Sequence, residues 1–128
     1  METYSYKVDS DVVKSEGESR ISRDDDVLAS GSGVVICGTV LGQITTVGAT
    51  FGKFKPLAPA ANDGTQIAKA IILQNANATS ADVIVVNLKR HAQVVLQSLI
   101  WPAGITDAQK AAALASLENT SIVARSGV

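Results

Sequence analysis

From Val27 onward the chain is a series of short apolar runs punctuated by glycine, asparagine and proline. Val34-Val35-Ile36-Cys37 and Thr39-Val40-Leu41-Gly42-Gln43-Ile44-Thr45 read as strands, with Gly31, Gly33, Gly38, Gly42 and Gly48 at turns or bulges. Pro56 and Pro59 mark an irregular crossing, and Asn62-Asp63-Gly64 predicts a turn because Asn and Gly tolerate positive φ. Further strands are expected over residues 68–73, 82–88 and 93–100. Within them Val83-Ile84-Val85-Val86 is continuously apolar, which predicts a strand buried on both faces. One helix is expected. Thr106 with Gln109 forms a capping box, Asp107 suits the first turn, and Ala111, Leu114, Ala115 and Leu117 recur on one face through Glu118. Pro102-Ala103-Gly104 ends the preceding strand, and Ile122-Val123 is expected to return as a short closing strand. The pattern predicts an α+β, mostly β domain with one short C-terminal helix and no internal repeat.

Ahead of Val27 the pattern changes. Residues 1–26 hold eight acids and four bases, a net charge of −4, whereas the rest of the chain holds four acids and seven bases, a net charge of +3. So polar a segment, with few apolar residues after Val13, cannot bury enough surface to offset its ordering entropy. Residues 1–26 are therefore expected to be a disordered arm in the free protein, and residues 27–128 a globular domain. The start of the arm has a pattern of its own: Tyr4, Tyr6 and Val8 alternate with Ser5 and Lys7, the period of a strand with one apolar face. An isolated strand does not persist, but it can pair with an exposed sheet edge of another molecule. A plain solvated tail is the alternative reading.

At 128 residues the chain suits one domain with a single core. Aromatic residues make up only 4%, so that core is expected to be Ala, Val, Ile and Leu, with Phe51, Phe54 and Trp101 as large fillers. A formal net charge of −1, with no basic cluster beyond Lys89-Arg90, argues against nucleic acid as a partner. No apolar run approaches the roughly 18 residues of a membrane-spanning helix, and Met1-Glu2-Thr3-Tyr4 opens neither a signal peptide nor a lipidation motif. The expected site of synthesis is the cytoplasm, with no membrane partner. Cys37 is the only cysteine, so stability has to come from packing or from oligomerisation.

The candidate chemistry is sparse. His91 and Cys37 are the only residues of their kinds and sit far apart, without the local signature of a nucleophile elbow or thiol protease. No catalytic residue and no enzymatic activity are expected. Asp24-Asp25-Asp26 lacks the alternate spacing by which a calcium loop wraps its ion and reads as a solvated acidic turn, so no metal is expected. Gly31-Ser32-Gly33 leads into a β-branched strand rather than a helix whose N-terminus would hold pyrophosphate, so no dinucleotide or other cofactor is expected. Trp101 before Pro102 is either an exposed interface anchor or, the preferred reading, a core residue closing a strand against the helix. The alternative function is a small β-barrel binding or group-carrier domain, because Gly38-Thr39-Val40-Leu41-Gly42 looks like a strand of biotinyl or lipoyl carriers. Such carriers present a lysine at a hairpin tip, whereas Lys53 and Lys55 flank Phe54 without that pattern.

A family resemblance joins these pieces. Ser22-Arg23-Asp24-Asp25-Asp26-Val27-Leu28-Ala29-Ser30-Gly31, followed by Gly38 to Thr45, resembles the N-terminal signature of the lambda-type phage head decoration proteins. Ala68 to Asn75 resembles the family's strand before a Thr-Ala-Asp-like step, here Ala78-Thr79-Ser80-Ala81-Asp82. The strongest stretch is Ile100-Trp101-Pro102-Ala103-Gly104-Ile105-Thr106-Asp107-Ala108-Gln109-Lys110-Ala111-Ala112-Ala113-Leu114. The resemblance implies a β-clip-like domain that binds the outer surface of the expanded capsid as a homotrimer at local three-fold axes, with trimers able to form only on the shell. It also implies an N-terminal arm that grips the major capsid protein, so that the head resists the pressure of packaged DNA. The virion's outer surface is then the protein's place. Thr3 to Asp9 does not align with the family pattern, so Tyr4, Tyr6 and Val8 are taken as the capsid-binding residues on their alternation alone.

Overall fold

The fold is seen in a computed structural model, which describes residues 9–17 and 21–126. Tyr4, Tyr6 and Val8 lie outside the described residues. A single helical turn, α1 (Asp9–Val12), leads into β1 (Val13–Glu16) and then β2 (Arg23–Leu28). The chain continues through β3 (Gly33–Val35), β4 (Val40–Gln43), β5 (Phe54–Pro56), β6 (Ala68–Ile72), β7 (Ala76–Ala78), β8 (Val83–Leu88) and β9 (Ala92–Val95). It closes with α2 (Asp107–Glu118) and β10 (Ile122–Arg125). β2, β5, β4, β6 and β8 form a closed barrel, β3 and β7 a two-stranded ribbon, and β1, β9 and β10 a three-stranded sheet with β9 at its centre. The class is α+β, mostly β, as the apolar pattern predicts.

The single core expected from chain length is two clusters that share a wall. Leu28, Leu41, Phe54, Ala70, Ile72 and Val85, drawn from all the barrel strands, fill the barrel interior. Val40, Ile71 and Leu88 point to the other side, where they meet Val12, Val94, Leu117 and Ile122 from α1, β9, α2 and β10. β4 and β6 therefore bury both faces, and one pair of strands serves two clusters in a small chain. On β6 the sides are redistributed by a shift in register: Leu41 pairs with Ala70 but Gly42 with Ala68, leaving Lys69 as the extra residue. Gly42 allows a close backbone approach at this crossing, since a Cβ there would lie 2.5 Å from the Thr65 backbone.

Several expectations need correction. Strand pairing starts well before residue 27: β1 pairs with β9, and β2 pairs with β8 from Arg23 to Leu28, so the division drawn after residue 26 falls inside a barrel strand. Val83-Ile84-Val85-Val86 is not buried on both faces. Val85 fills the barrel and Val86 and Leu88 on the other face pack against the helix-side cluster, but Ile84 at the start of that face is 73% exposed, beyond the reach of the described residues that cover it. Phe51 is not a core filler; it is 61% exposed on the loop between β4 and β5, and Phe54 alone is the aromatic of the barrel. The strand expected over residues 93–100 stops at Val95, where a 3-10 turn (Leu96–Ser98) takes over. The helix and its Thr106/Gln109 capping box are as expected, but the buried residues are Ala113 and Leu117 rather than a face through Ala111 and Ala115. Alanine on every side of α2 leaves little contrast from which to read its buried face.

Candidate functional site

The three-stranded sheet decides where the chain's ends emerge. β1 runs antiparallel to β9, with Val13 opposite Val94. β10 runs parallel to β9, with Arg125 opposite Val95. Entry into β1 and exit from β10 therefore lie at the same end of the sheet, and Lys14 Nζ donates to the Ser126 carbonyl across it at 3.4 Å. The described chain enters β1 at this end from α1. α1 anchors it: Val12 is fully buried against the helix-side cluster.

Polar contacts tie β1 to the barrel. Ser22 is fully buried; its hydroxyl accepts from the Gly17 amide at 2.8 Å and donates to the His91 carbonyl at 2.9 Å. Arg23 donates through Nε and Nη2 to both carboxylate oxygens of Glu16 at 2.7–3.1 Å, a fork that links the end of β1 to the start of β2. The acidic run is a strand and not a solvated turn. Asp24 pairs with Arg90 and, at 3.7 Å, with Lys89, and Asp26 pairs with Lys89 at 3.4 Å. Hydrogen bonding from the Arg90 guanidinium is the main cause holding the Asp24 carboxyl below the usual carboxylate range, and the same pairing raises the Arg90 guanidinium. Asp24 and Asp26 share one face of β2 by the strand period, and Lys89-Arg90 follows the paired strand β8. This pairing was available as a signal in the sequence, but only once β2 and β8 were known to be neighbours.

On the side of Gly38 lies an apolar groove. A cavity of about 300 Å³ opens between β3 and the Ile100–Pro102 segment, lined by Val34, Ile36, Val40, Ile100, Trp101 and Pro102 among others. It adjoins a second hollow of about 340 Å³ between Val34, Ile36 and β7. Trp101 is half-buried: it packs against the helix-side core, as the preferred reading has it, and it also lines the groove. Val34 is 70% exposed at the rim.

The remaining candidates do not converge. Cys37 is buried in the helix-side cluster, while His91 is exposed at the turn between β8 and β9. Lys53 is ion-paired with Asp82 at 2.6 Å, at the base of a loop rather than at a hairpin tip. Among the described residues no group of His, Cys, Asp and Glu side chains is placed to hold a metal ion, and no helix is long and apolar enough to cross a membrane. The family model for bacteriophage lambda head decoration protein D matches residues 3–122, so the match takes in the Thr3 to Asp9 stretch that the resemblance left unaligned. The chain belongs to this family. No individually curated protein matches it. Family membership assigns a capsid decoration role and a place on the virion capsid, in a family of structural phage proteins.

Proposed function

We propose that the chain binds the outer surface of the phage head as trimers at local three-fold axes, and that the segment carrying Tyr4, Tyr6 and Val8 grips the major capsid protein by adding a strand to one of its sheet edges. The observation that carries this reading is the common exit of both chain ends from the β9 sheet, which defines one pole for attachment. At that pole the gripping segment is fastened through Val12, the β1–β9 pairing and the Arg23–Glu16 fork, so load on the arm reaches the barrel through buried contacts. Main-chain hydrogen bonds supply affinity in strand addition, and alternate side chains supply specificity. Arms from three copies bound side by side raise one another's effective concentration, so individually weak grips give lasting occupancy. Bound in this way, the trimers stabilise the shell against internal DNA pressure.

Cosedimentation with expanded, undecorated heads of the parent phage tests the reading. The full chain is expected to pellet with heads, and a chain lacking residues 1–8 to stay in the supernatant while remaining folded. Deleting further, through residue 20, would remove buried Val12 and β1 and would confuse loss of grip with loss of structure. Retained attachment of the chain lacking residues 1–8 would move the grip to the globular part.

A further inference from the structure

A three-fold arrangement sets a requirement on the chain's surface. One patch cannot meet itself across a three-fold axis, so each copy must carry two different, complementary patches, and the ring closes when the third copy meets the first. We propose that the tip of the loop between β4 and β5, with Val47 and Phe51, is one of these patches, and that it seats in the Trp101 groove of the neighbouring copy. This rests on the trimer reading.

The tip projects from a rigid base. β4 and β5 stay paired as far as Ile44 and Lys53: the Ile44 amide donates to the Lys53 carbonyl at 2.8 Å, and the Gly52 amide donates to the Ile44 carbonyl at 2.8 Å. Beyond that pair residues 45–51 are all exposed, Val47 at 92% and Phe51 at 61%. No residue from Ile44 to Gly52 carries a charge. Single apolar side chains on a surface are ordinary, but two on one uncharged projecting loop form an apolar knob.

The groove is its complement. Its 300 Å³ has room for a phenyl ring, and no charged residue lines it or the adjoining hollow, since a cavity of roughly 150 Å³ holds benzene. Neither partner has to strip water from a charge. β3, which forms one wall, is paired only with β7 among the described residues, so that wall is also an open strand edge. Knob and groove cannot meet within one chain. Pro56, which lines the groove, pairs with Leu41 at one end of the β4–β5 hairpin, whereas Phe51 lies beyond Lys53 at the other. The strand between them is roughly 10 Å long, and a paired hairpin does not fold back onto its own base.

The contact is small. A phenylalanine offers roughly 150–250 Å² to bury, so a knob of Phe51 and Val47 covers a few hundred Å², against roughly 1,200 Å² for a specific stable pair. One such contact does not hold two copies together in dilute solution. Between copies that the head already holds side by side it acts at high effective concentration, and three of them close a ring. Occupancy within each three-fold site is then cooperative.

Cysteine cross-linking tests the contact. Cys37, the only native cysteine, is buried, so cysteines introduced at exposed positions react alone. The full chain carrying both Val34→Cys and Val47→Cys, bound to expanded heads of the parent phage and treated with a short bismaleimide, should yield a covalent species of three copies and nothing longer. Each single variant should remain uncross-linked, because a three-fold contact brings position 34 to position 47 and neither to itself. No joining of 34 to 47 in head-bound protein would overturn the proposal. So would dimers of either single variant, which mean two-fold pairing, or a ladder beyond three copies, which means an open chain. Phe51→Asp changes an exposed side chain that supports no core, so its melting midpoint should match the wild type. Its half-occupancy concentration on heads should rise about tenfold or more, and wild-type occupancy would also overturn the contact. The two readings fail separately. A wild-type chain that does not pellet with heads would sink capsid attachment, whereas one that pellets without any 34-to-47 product would strike this contact alone.

Discussion

Val12 lies well inside the segment whose composition reads as an arm, yet its side chain is fully buried in the helix-side cluster. Val12→Ala removes two carbon groups from that site. Transfer of these groups accounts for about 1.6 kcal/mol, and the cavity that incomplete collapse leaves behind brings the cost to about 2 kcal/mol. For a domain of this size that corresponds to a fall of roughly 6–10 °C in the melting midpoint. Urea unfolding followed by Trp101 fluorescence and far-UV circular dichroism measures it directly. The midpoint should move while the denaturant slope stays constant, showing that stability changed and the compactness of the end states did not. Removing residues 1–8 is the control and should leave the midpoint nearly where it was. A Val12→Ala cost below about 0.5 kcal/mol, the range of ordinary surface substitutions, would refute the reasoning. Residue 12 would then belong to a solvated arm, and the anchor proposed at the attachment pole would not exist.

Two further substitutions probe the barrel. Gly42→Ala places a methyl group 2.5 Å from the Thr65 Cα and carbonyl oxygen, where backbone rather than a yielding side chain must move. The expected cost is about 1–3 kcal/mol, read by thermal unfolding, and an unchanged midpoint would mean that the β4 crossing has room for a methyl group. The Asp24–Arg90 pairing gives stability an acid limb. Because the Asp24 carboxyl is held below its unfolded value of about 3.9, its contribution is fully present above that pH and is lost as pH falls through the lowered folded value. Asp24→Asn should flatten the acid side of a stability profile taken between pH 2 and 7. The effect should shrink in high salt because the pair is partly exposed. A profile identical to the wild type would remove the pair from the account.

What could be read from the chain follows a physical division. Strands that bury both faces or alternate cleanly, such as β4, β6 and the core of β8, announce themselves, and so does a helix with a capping box, because local chemistry specifies them. β1 and β2 do not. The acids of β2 look solvated until Lys89 and Arg90, more than sixty positions away, are brought beside them by strand pairing. Exposed Ile84 and Phe51 fail for the converse reason: hydrophobicity marks what can be buried, not what the fold has left to cover it.

The same division governs the proposed attachment site. The alternation of Tyr4, Tyr6 and Val8 is local and could be read directly, but an anchor and an exit direction are properties of a sheet. Val13 and Arg125 stand at the same end only because β10 runs parallel to β9 while β1 runs against it. The groove is likewise non-local. Val34-Val35-Ile36 and Ile100-Trp101-Pro102 each look like strand or core in sequence, and they become two walls only where Gly38, with its positive φ of 103°, lets the Ser98 carbonyl approach. A glycine with little to mark it among the others in the chain thus lets the Ser98 backbone and Val12 of α1, far apart in sequence, close in on one point.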